Sequence, residues 1–476
     1  MLRGLPPNNH TNFREFLLQM KILFLIALAL LLCAPILGFA QQQQPHRKIF
    51  PYTYKINDLP NGLRLITVPT DYKSLVALYI VVSTGSRNEI EAGKSGYAHL
   101  FEHLMFRGSQ NYTPAQRDEI LKRAGASSNA YTTDDRTVYH EVFSQEDLDR
   151  VIELEADRFQ RLKYDVAPYK TETRAVLGEY NKNSSDPTEK LFEKLRETAF
   201  QKHTYEHTTM GFIRDIEDMP NQYDYSLEFY RRYYRPEYTT IIMVGDVTPD
   251  RALALVEKNF GNWQRGDYAP QIQAEPAQTA PRTAHVDWPT PTLPYIAVAF
   301  RAPAYSDERK DKAALDLLAP IAFGENSDLY QQLVLKEQKV DLLGPSFEDH
   351  IDPELFTVFA RVKNEKDVDY VRNQILSTFK RYATQTVPQA QLDETRARLR
   401  YSFALSLDSS EAIASALAPY VALRRTPETI NKVYALYDSI TPEDIRAAAA
   451  HYFTEQNRTI VTLSTTSANA SKESKK

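Results

Sequence analysis

The chain has 476 residues, of which 42% are hydrophobic and 25% charged, with only 15 glycines, so neither a mainly disordered nor a collagen-like chain is compatible with it. Lysine and arginine number 57 against 62 aspartates and glutamates, a formal charge of −5, and no basic excess points to nucleic acid. At roughly 150 residues per domain, the length suits two large units or three smaller ones.

In chain order, the first feature is the long apolar run Ile22 to Ala40. Met20-Lys21 precedes it, and Gly38-Phe39-Ala40 closes it before Gln41. A positive start, an apolar centre and small residues at the exit read as a secretory signal peptide over residues 1–40, with a true start at Met20. The protein is then exported, to the periplasm. The alternative is an uncleaved membrane anchor, since the run is just long enough to span a bilayer. Pro35 and the small residues near Ala40 favour cleavage. The one cysteine, Cys33, lies inside this run, so the mature chain has no disulfide framework.

From Tyr54 the pattern alternates between strands and helices. Leu75–Val82 is a dense β-branched run and reads as a buried strand. Thr113-Pro114-Ala115-Gln116 is a helix start, with a capping Thr, Pro at the first helical position and Gln at the third. Ser144 opens another helix, whose Leu148, Ile152, Ala156 and Phe159 share a face. Thr239–Val244 is a strand ending at Gly245-Asp246. Residues 265–294 break the rhythm with Pro270, Pro276, Pro281, Pro289, Pro291 and Pro294, and read as an extended linker.

A second unit follows over residues 295–463. It has a strand at Tyr295–Phe300, a helix at Lys312–Ala319, a closing strand at Thr459–Leu463, and then a polar tail, 464–476. It looks like a diverged copy of the first unit, residues 48–264. Tyr234 to Ile241 and Phe453 to Ile460 both lead from a helix into a closing strand, at an offset of 219 positions.

The chemistry lies in His99-Leu100-Phe101-Glu102-His103. On a helix, positions 99 and 103 are one turn apart and project together, so two imidazoles can share one metal ion. A hydrolytic zinc site wants three protein ligands and an open position for water. Glu102, not needed as a ligand, is placed to take a proton from that water. The spacing is H-x-x-E-H, the reverse of H-E-x-x-H. A third ligand comes from Thr171 to Tyr180, where Glu172 and Glu179 lie close to two helical turns apart on one face. Alone, either glutamate would read as a solvated helix edge. Beside the histidine motif, Glu179 becomes the better ligand.

These residues resemble the pitrilysin/insulinase family of zinc peptidases, in the short-chain branch typified by the mitochondrial processing peptidase. That family joins H-x-x-E-H to a ligand glutamate some seventy-odd residues later, with another glutamate seven residues before it; here His103 and Glu179 are 76 positions apart. Gly85-Ser86-Arg87-Asn88-Glu89, Asn129-Ala130-Tyr131-Thr132 and Asp246 look like family segments as well. The resemblance implies an α+β fold of two homologous α/β-sandwich units, each a mainly antiparallel sheet packed with helices. It implies one Zn²⁺ per chain held by His99, His103 and Glu179, with Glu102 as base and Glu172 in electrostatic support. It also makes Asn129–Thr132 an edge strand beside the metal, to which an extended peptide can add. The second unit has no histidine in its helix at Lys312–Ala319 and would hold no metal this way.

One departure stands out. Active members usually carry, in the second unit, an Arg and a Tyr seven residues apart that hold the substrate. Here Lys336 and Leu343 stand at those positions. Lysine lacks the planar fork, and leucine has no hydroxyl to offer a developing oxyanion. Short-chain relatives often pair a metal-bearing chain with one that contributes the Arg and Tyr. The expectation is therefore a zinc endopeptidase acting on peptides or unfolded segments as the metal-bearing half of a heterodimer, a homodimer being the other arrangement. The competing expectation is a non-catalytic assembly or scaffold subunit. His140, His203 and His207 show no ligand spacing to the motif and read as core or surface residues. Asp134-Asp135 reads as a solvated turn, with orientation of a ligand histidine as its functional alternative.

Overall fold

The computed structural model describes residues 48–466; the signal-peptide segment and the tail beyond Thr466 lie outside the described residues. Two sheets organise the chain. The first runs β1 (Lys55–Asp58), β2 (Arg64–Pro69), β3 (Leu75–Val82), β4 (Ser127–Thr132), β5 (Thr137–Ser144) and β6 (Thr239–Gly245), in the spatial order β1-β2-β6-β3-β5-β4. The second runs β7 (Arg282–Trp288), β8 (Tyr295–Arg301), β9 (Val340–Ser346), β10 (Leu355–Val362) and β11 (Arg458–Thr465), in the order β7-β11-β8-β10-β9. In each sheet the closing strand pairs parallel to one neighbour, β6 with β2 and β11 with β7, and the strands beyond it are antiparallel. The connectivity of the first sheet is thus repeated in the second. β4 and β9 are the matching edges.

Strand β3 shows why the pattern looks continuously apolar. Val76, Leu78, Ile80 and Val82 point into the core beneath the helices of the first half, while Ala77, Tyr79 and Val81 point into a separate core on the opposite face. A period of two, buried on both sides, leaves no polar position to alternate. The opposite face is covered by the helix Ser410–Arg424, through Ile413, Ala414, Leu417, Ala418 and Val421, which comes from the second half. The second sheet is treated alike. Ala297, Ala299, Val461 and Leu463 are covered by Leu191, Leu195 and Ala199 of the helix Pro187–Ala199, from the first half. The halves thus exchange helices, each closing the other's sheet.

The segment 265–294, read from its prolines as a linker, contains β7. Pro281 and Pro289 bracket a proline-free stretch whose burial alternates, and this stretch forms the sheet's edge beside β11. An edge strand is the place in a sheet that tolerates flanking prolines, because only one side of it needs donors. The tail is also shorter than read, since β11 continues through Ser464 and Thr465. Among the described residues no helix is long and apolar enough to cross a membrane.

Candidate metal centre

The helix Tyr97–Leu104 buries Tyr97, Leu100, Phe101 and Leu104 in the core of the first half, which leaves His99, Glu102 and His103 for the other side. Its start is tightly fixed. Gly96 sits at φ 89°, and a Cβ there would lie 2.7 Å from the Met210 carbonyl oxygen, so the turn requires glycine. The buried carboxylate of Glu89 accepts hydrogen bonds from the Gly96 and Ala98 amides, each at 2.7 Å, satisfying amides that the first turn leaves without helical partners.

Across from it, the helix Val166–Asn183 buries Tyr169, Thr173, Val176 and Glu172. Glu179, one further step along the same face, lies 3.6 Å from His99 Nε2 and 3.5 Å from His103 Nε2 through its Oε2 atom. Ligand atoms of His99, His103 and Glu179 all fall within 4.8 Å of one another. Zinc bonds of about 2.0–2.1 Å at tetrahedral angles put ligand atoms about 3.4 Å apart. The observed His–Glu separations match that edge, and two imidazoles with one carboxylate form an N/O donor set suited to zinc. The two rings stand nearly perpendicular, at 86°, with centroids 4.9 Å apart.

Glu172 holds the back of this arrangement. Its Oε2 is 3.4 Å from His103 Nδ1, which leaves Nε2 of the same ring facing Glu179. Burial works against the Glu172 carboxylate, yet His103 and Arg107 together hold its pKa below the usual range. The Glu172 contact in turn raises His103, against the effect of burial. Burial and the neighbouring His103 pull His99 down to about 4, so its imidazole is neutral at physiological pH, the form that ligates metal. Glu102 is raised by burial, although Thr132 Oγ1 donates to its Oε2 at 2.7 Å.

Thr132 is the last residue of β4, an edge of the first sheet. The strand read from Asn129–Thr132 therefore stands beside the motif, joined to it through Glu102. Arg107 was not singled out in the sequence, and Glu89 was read only as the end of the segment Gly85–Glu89, not as a cap. Arg107 lay four residues past His103, a helical spacing that could have flagged it. Glu89 had no local signal, because it caps a helix that starts eight residues later.

Asp134 and Asp135 differ from both of their readings. They are buried, and they bridge residues of both halves rather than orienting a ligand histidine. Asp134 accepts from Ser86 Oγ at 2.8 Å, from Arg196 and from His350 Nε2, while Asp135 accepts from Tyr205 and from the Ile351 amide. Their partners are distant in sequence, so the turn looked solvated. His140 stacks on Tyr79, His203 bonds Asp352, and His207 bonds the Thr208 carbonyl; none belongs to the metal cluster.

Two family models match the chain. One, described as insulinase (peptidase family M16), covers residues 64–212, and the other, described as the peptidase M16 inactive domain, covers 222–399. The chain is 28% identical over 414 residues to the zinc protease PqqE of Helicobacter pylori, covering 85% of this chain and 91% of that protein. It is 24% identical over 438 residues to the mitochondrial-processing peptidase subunit beta of Saccharomyces cerevisiae, covering 87% and 91%. A solved protease structure from Helicobacter pylori matches with a TM-score of 0.81 at 27% identity, over 87% of this chain and 99% of that one. A peptidase M16 inactive domain from Pseudomonas fluorescens has the same fold, with a TM-score of 0.77 at 16% identity over 87% and 98%.

Proposed function

This chain belongs to the insulinase (M16) family of peptidases, and from that premise we propose that it is a zinc-dependent endopeptidase hydrolysing peptides or unfolded segments. The observation that carries the reading is the convergence of His99, His103 and Glu179 beside a half-buried Glu102. Zinc bound there would supply a Lewis acid that activates water and polarises the scissile carbonyl. Glu102 takes up the proton that the water loses and returns it to the leaving amine; burial raises the carboxyl's pKa, which strengthens it as a base. Thr132 keeps that carboxylate pointed at the site. The edge of β4 would hold the substrate backbone in extended form, through main-chain bonds that do not depend on side-chain identity.

The missing substrate-holding pair supports a heterodimer. Lys336 is exposed at the end of the wide helical turn Gln331–Lys336, and Leu343 is buried in the core of the second half. Neither replaces an Arg–Tyr pair, so a related partner chain would contribute it. The same observation favours, as a second reading, a scaffold subunit without activity of its own. The apolar run Ile22 to Ala40 supports export to the periplasm, with retention as a membrane anchor the other outcome.

Metal analysis of the purified protein tests the central reading. About one zinc per chain, lost on Glu179→Ala, is expected; a chain that never holds zinc is a scaffold. Peptide cleavage by the chain alone should be poor and should rise when an Arg/Tyr-bearing relative is added. Full turnover by the lone chain would remove the need for a partner. N-terminal sequencing of the exported protein should find Gln41 first.

A further inference from the structure

We infer that Arg107 is a positioning residue of the metal centre, gripping the buried Glu172 carboxylate so that Glu172 can hold the His103 ring with Nε2 toward Glu179. The inference rests on the reading of His99, His103 and Glu179 as ligands. It starts from an imbalance in Glu172, whose side chain is only 2% exposed. One oxygen faces His103 Nδ1 at 3.4 Å; the other lies 2.7 Å from Arg107 Nη2. Among the described residues Arg107 is the only cation in contact with that second oxygen. A buried carboxylate oxygen without a partner is costly, and the side chain would escape by turning toward solvent. That turn withdraws the acceptor that fixes His103. His103 would then be free to present the wrong nitrogen or rotate out of reach of Glu179.

The chain is built to deliver Arg107 there. The helix ends at Leu104, and the Phe106 and Arg107 amides bond back to the His103 and Leu104 carbonyls at 3.1 and 2.9 Å. Gly108, at φ 108°, then turns the chain away. Phe106 is anchored on the inward side, where the guanidinium groups of Arg117 and Arg158 lie 4.8 and 5.4 Å from its ring centroid. With Phe106 fixed inward, Arg107 is carried outward onto the helix Val166–Asn183. Charge balance points the same way. A dication at the site, together with Glu102, Glu172, Glu179 and Arg107, makes a neutral cluster, and without Arg107 the cluster is left with a net negative charge.

Arg107 is 44% exposed, so it could instead grip a substrate carboxylate, and the experiment separates the two roles. Zinc affinity is read by competition with a chromophoric chelator for the full chain, Arg107→Gln, Arg107→Lys and Glu179→Ala, and each is melted with and without zinc. Arg107→Gln should weaken zinc binding roughly 10- to 100-fold, the usual effect of removing a group that orients a ligand. Arg107→Lys should recover much of that, and the fall in melting temperature of Arg107→Gln should be clearly larger with zinc than without it. If Glu179→Ala binds zinc as tightly as the parent, the metal reading itself has failed. If Glu179→Ala loses zinc but Arg107→Gln and Arg107→Lys do not, only the role of Arg107 is wrong. Unchanged zinc affinity with a raised KM would make Arg107 a substrate contact. An equal loss of melting temperature with and without zinc would make it a general structural residue. Both outcomes overturn the inference.

Discussion

The parent chain should lose stability with rising pH on the alkaline side of neutrality, and replacing His350 with glutamine should remove that dependence. His350 lies just past β9, is 8% exposed, and sets Nε2 3.0 Å from Asp134 Oδ2. Asp134 and Asp135 face it from the hairpin between β4 and β5, Glu354 from just before β10, and Tyr205 through a ring whose centroid lies 5.3 Å away, while Arg196 of the helix Pro187–Ala199 pairs with Asp134 and Glu354. Burial opposes charge on the imidazole, but Asp134 and Glu354 push its pKa up from 6.5 to about 9. The folded protein therefore holds this proton more tightly than the unfolded chain. The resulting stability is fully present below about pH 6.5 and is lost as pH rises through about 9. At about 1.4 kcal/mol per unit, the loss is on the order of 3 kcal/mol. Asp134 acts in another window. Burial opposes its charge, but Arg196 and His350 hold it well below the usual carboxylate range, so its contribution is lost only in acid. Urea denaturation of the parent and of His350→Gln at about pH 6 and about pH 10 measures the difference. The parent should lose the larger share of its stability between the two. Parallel losses would refute the clamp.

Glu102→Gln should keep zinc and lower kcat roughly a hundred- to ten-thousand-fold, the range for removing a general base; retained turnover would assign the proton transfer elsewhere. Thr132→Val preserves the strand but removes the 2.7 Å hydrogen bond to Glu102, and should cost about tenfold in kcat, or about 1.4 kcal/mol, at unchanged zinc content. Glu89→Ala leaves the Gly96 and Ala98 amides without their acceptor at a buried helix start and should cost about 2–5 kcal/mol in denaturation, with Glu89→Gln costing less; a loss below about 1 kcal/mol would mean that the helix start does not depend on this cap.

How much of this was readable in the sequence depended on distance along the chain. The histidine helix, the Thr113-Pro114 start and the paired glutamates are local patterns, with periods of one or two helical turns, and each was legible. The observed helix Pro114–Arg123 even carries both halves of its capping box, Thr113 and Gln116. The repeat was legible because its closing strands keep the same lead-in. Asp134 and Asp135 were misread because four of their partners, Ser86, Arg196, His350 and Ile351, lie from 48 to 216 positions away, and a buried turn has the same composition as a solvated one. Strand β7 was hidden by the prolines at its ends, which mark an edge as readily as a linker. The exchange of helices between the halves left no trace in any local pattern.

That exchange bears on why the first half, with its candidate ligand cluster, is not a freestanding unit. Residues Ala77, Tyr79 and Val81 of β3 are covered by the helix Ser410–Arg424, and the opposite face of that strand belongs to the core that the histidine helix also packs into. Removing the second half would expose this apolar sheet face. Yet the second half places no side chain in the ligand cluster, where His99, His103 and Glu179 all come from the first. Its role within the chain is to close the sheet and, through His350 and Ile351, to pin the hairpin that ends β4. Because Thr132 at the end of that strand also holds Glu102, the position of the Glu102 carboxylate depends on a hairpin fastened from the other half. The second half, which contributes nothing to the ligand cluster among the described residues, thus completes the geometry of the first.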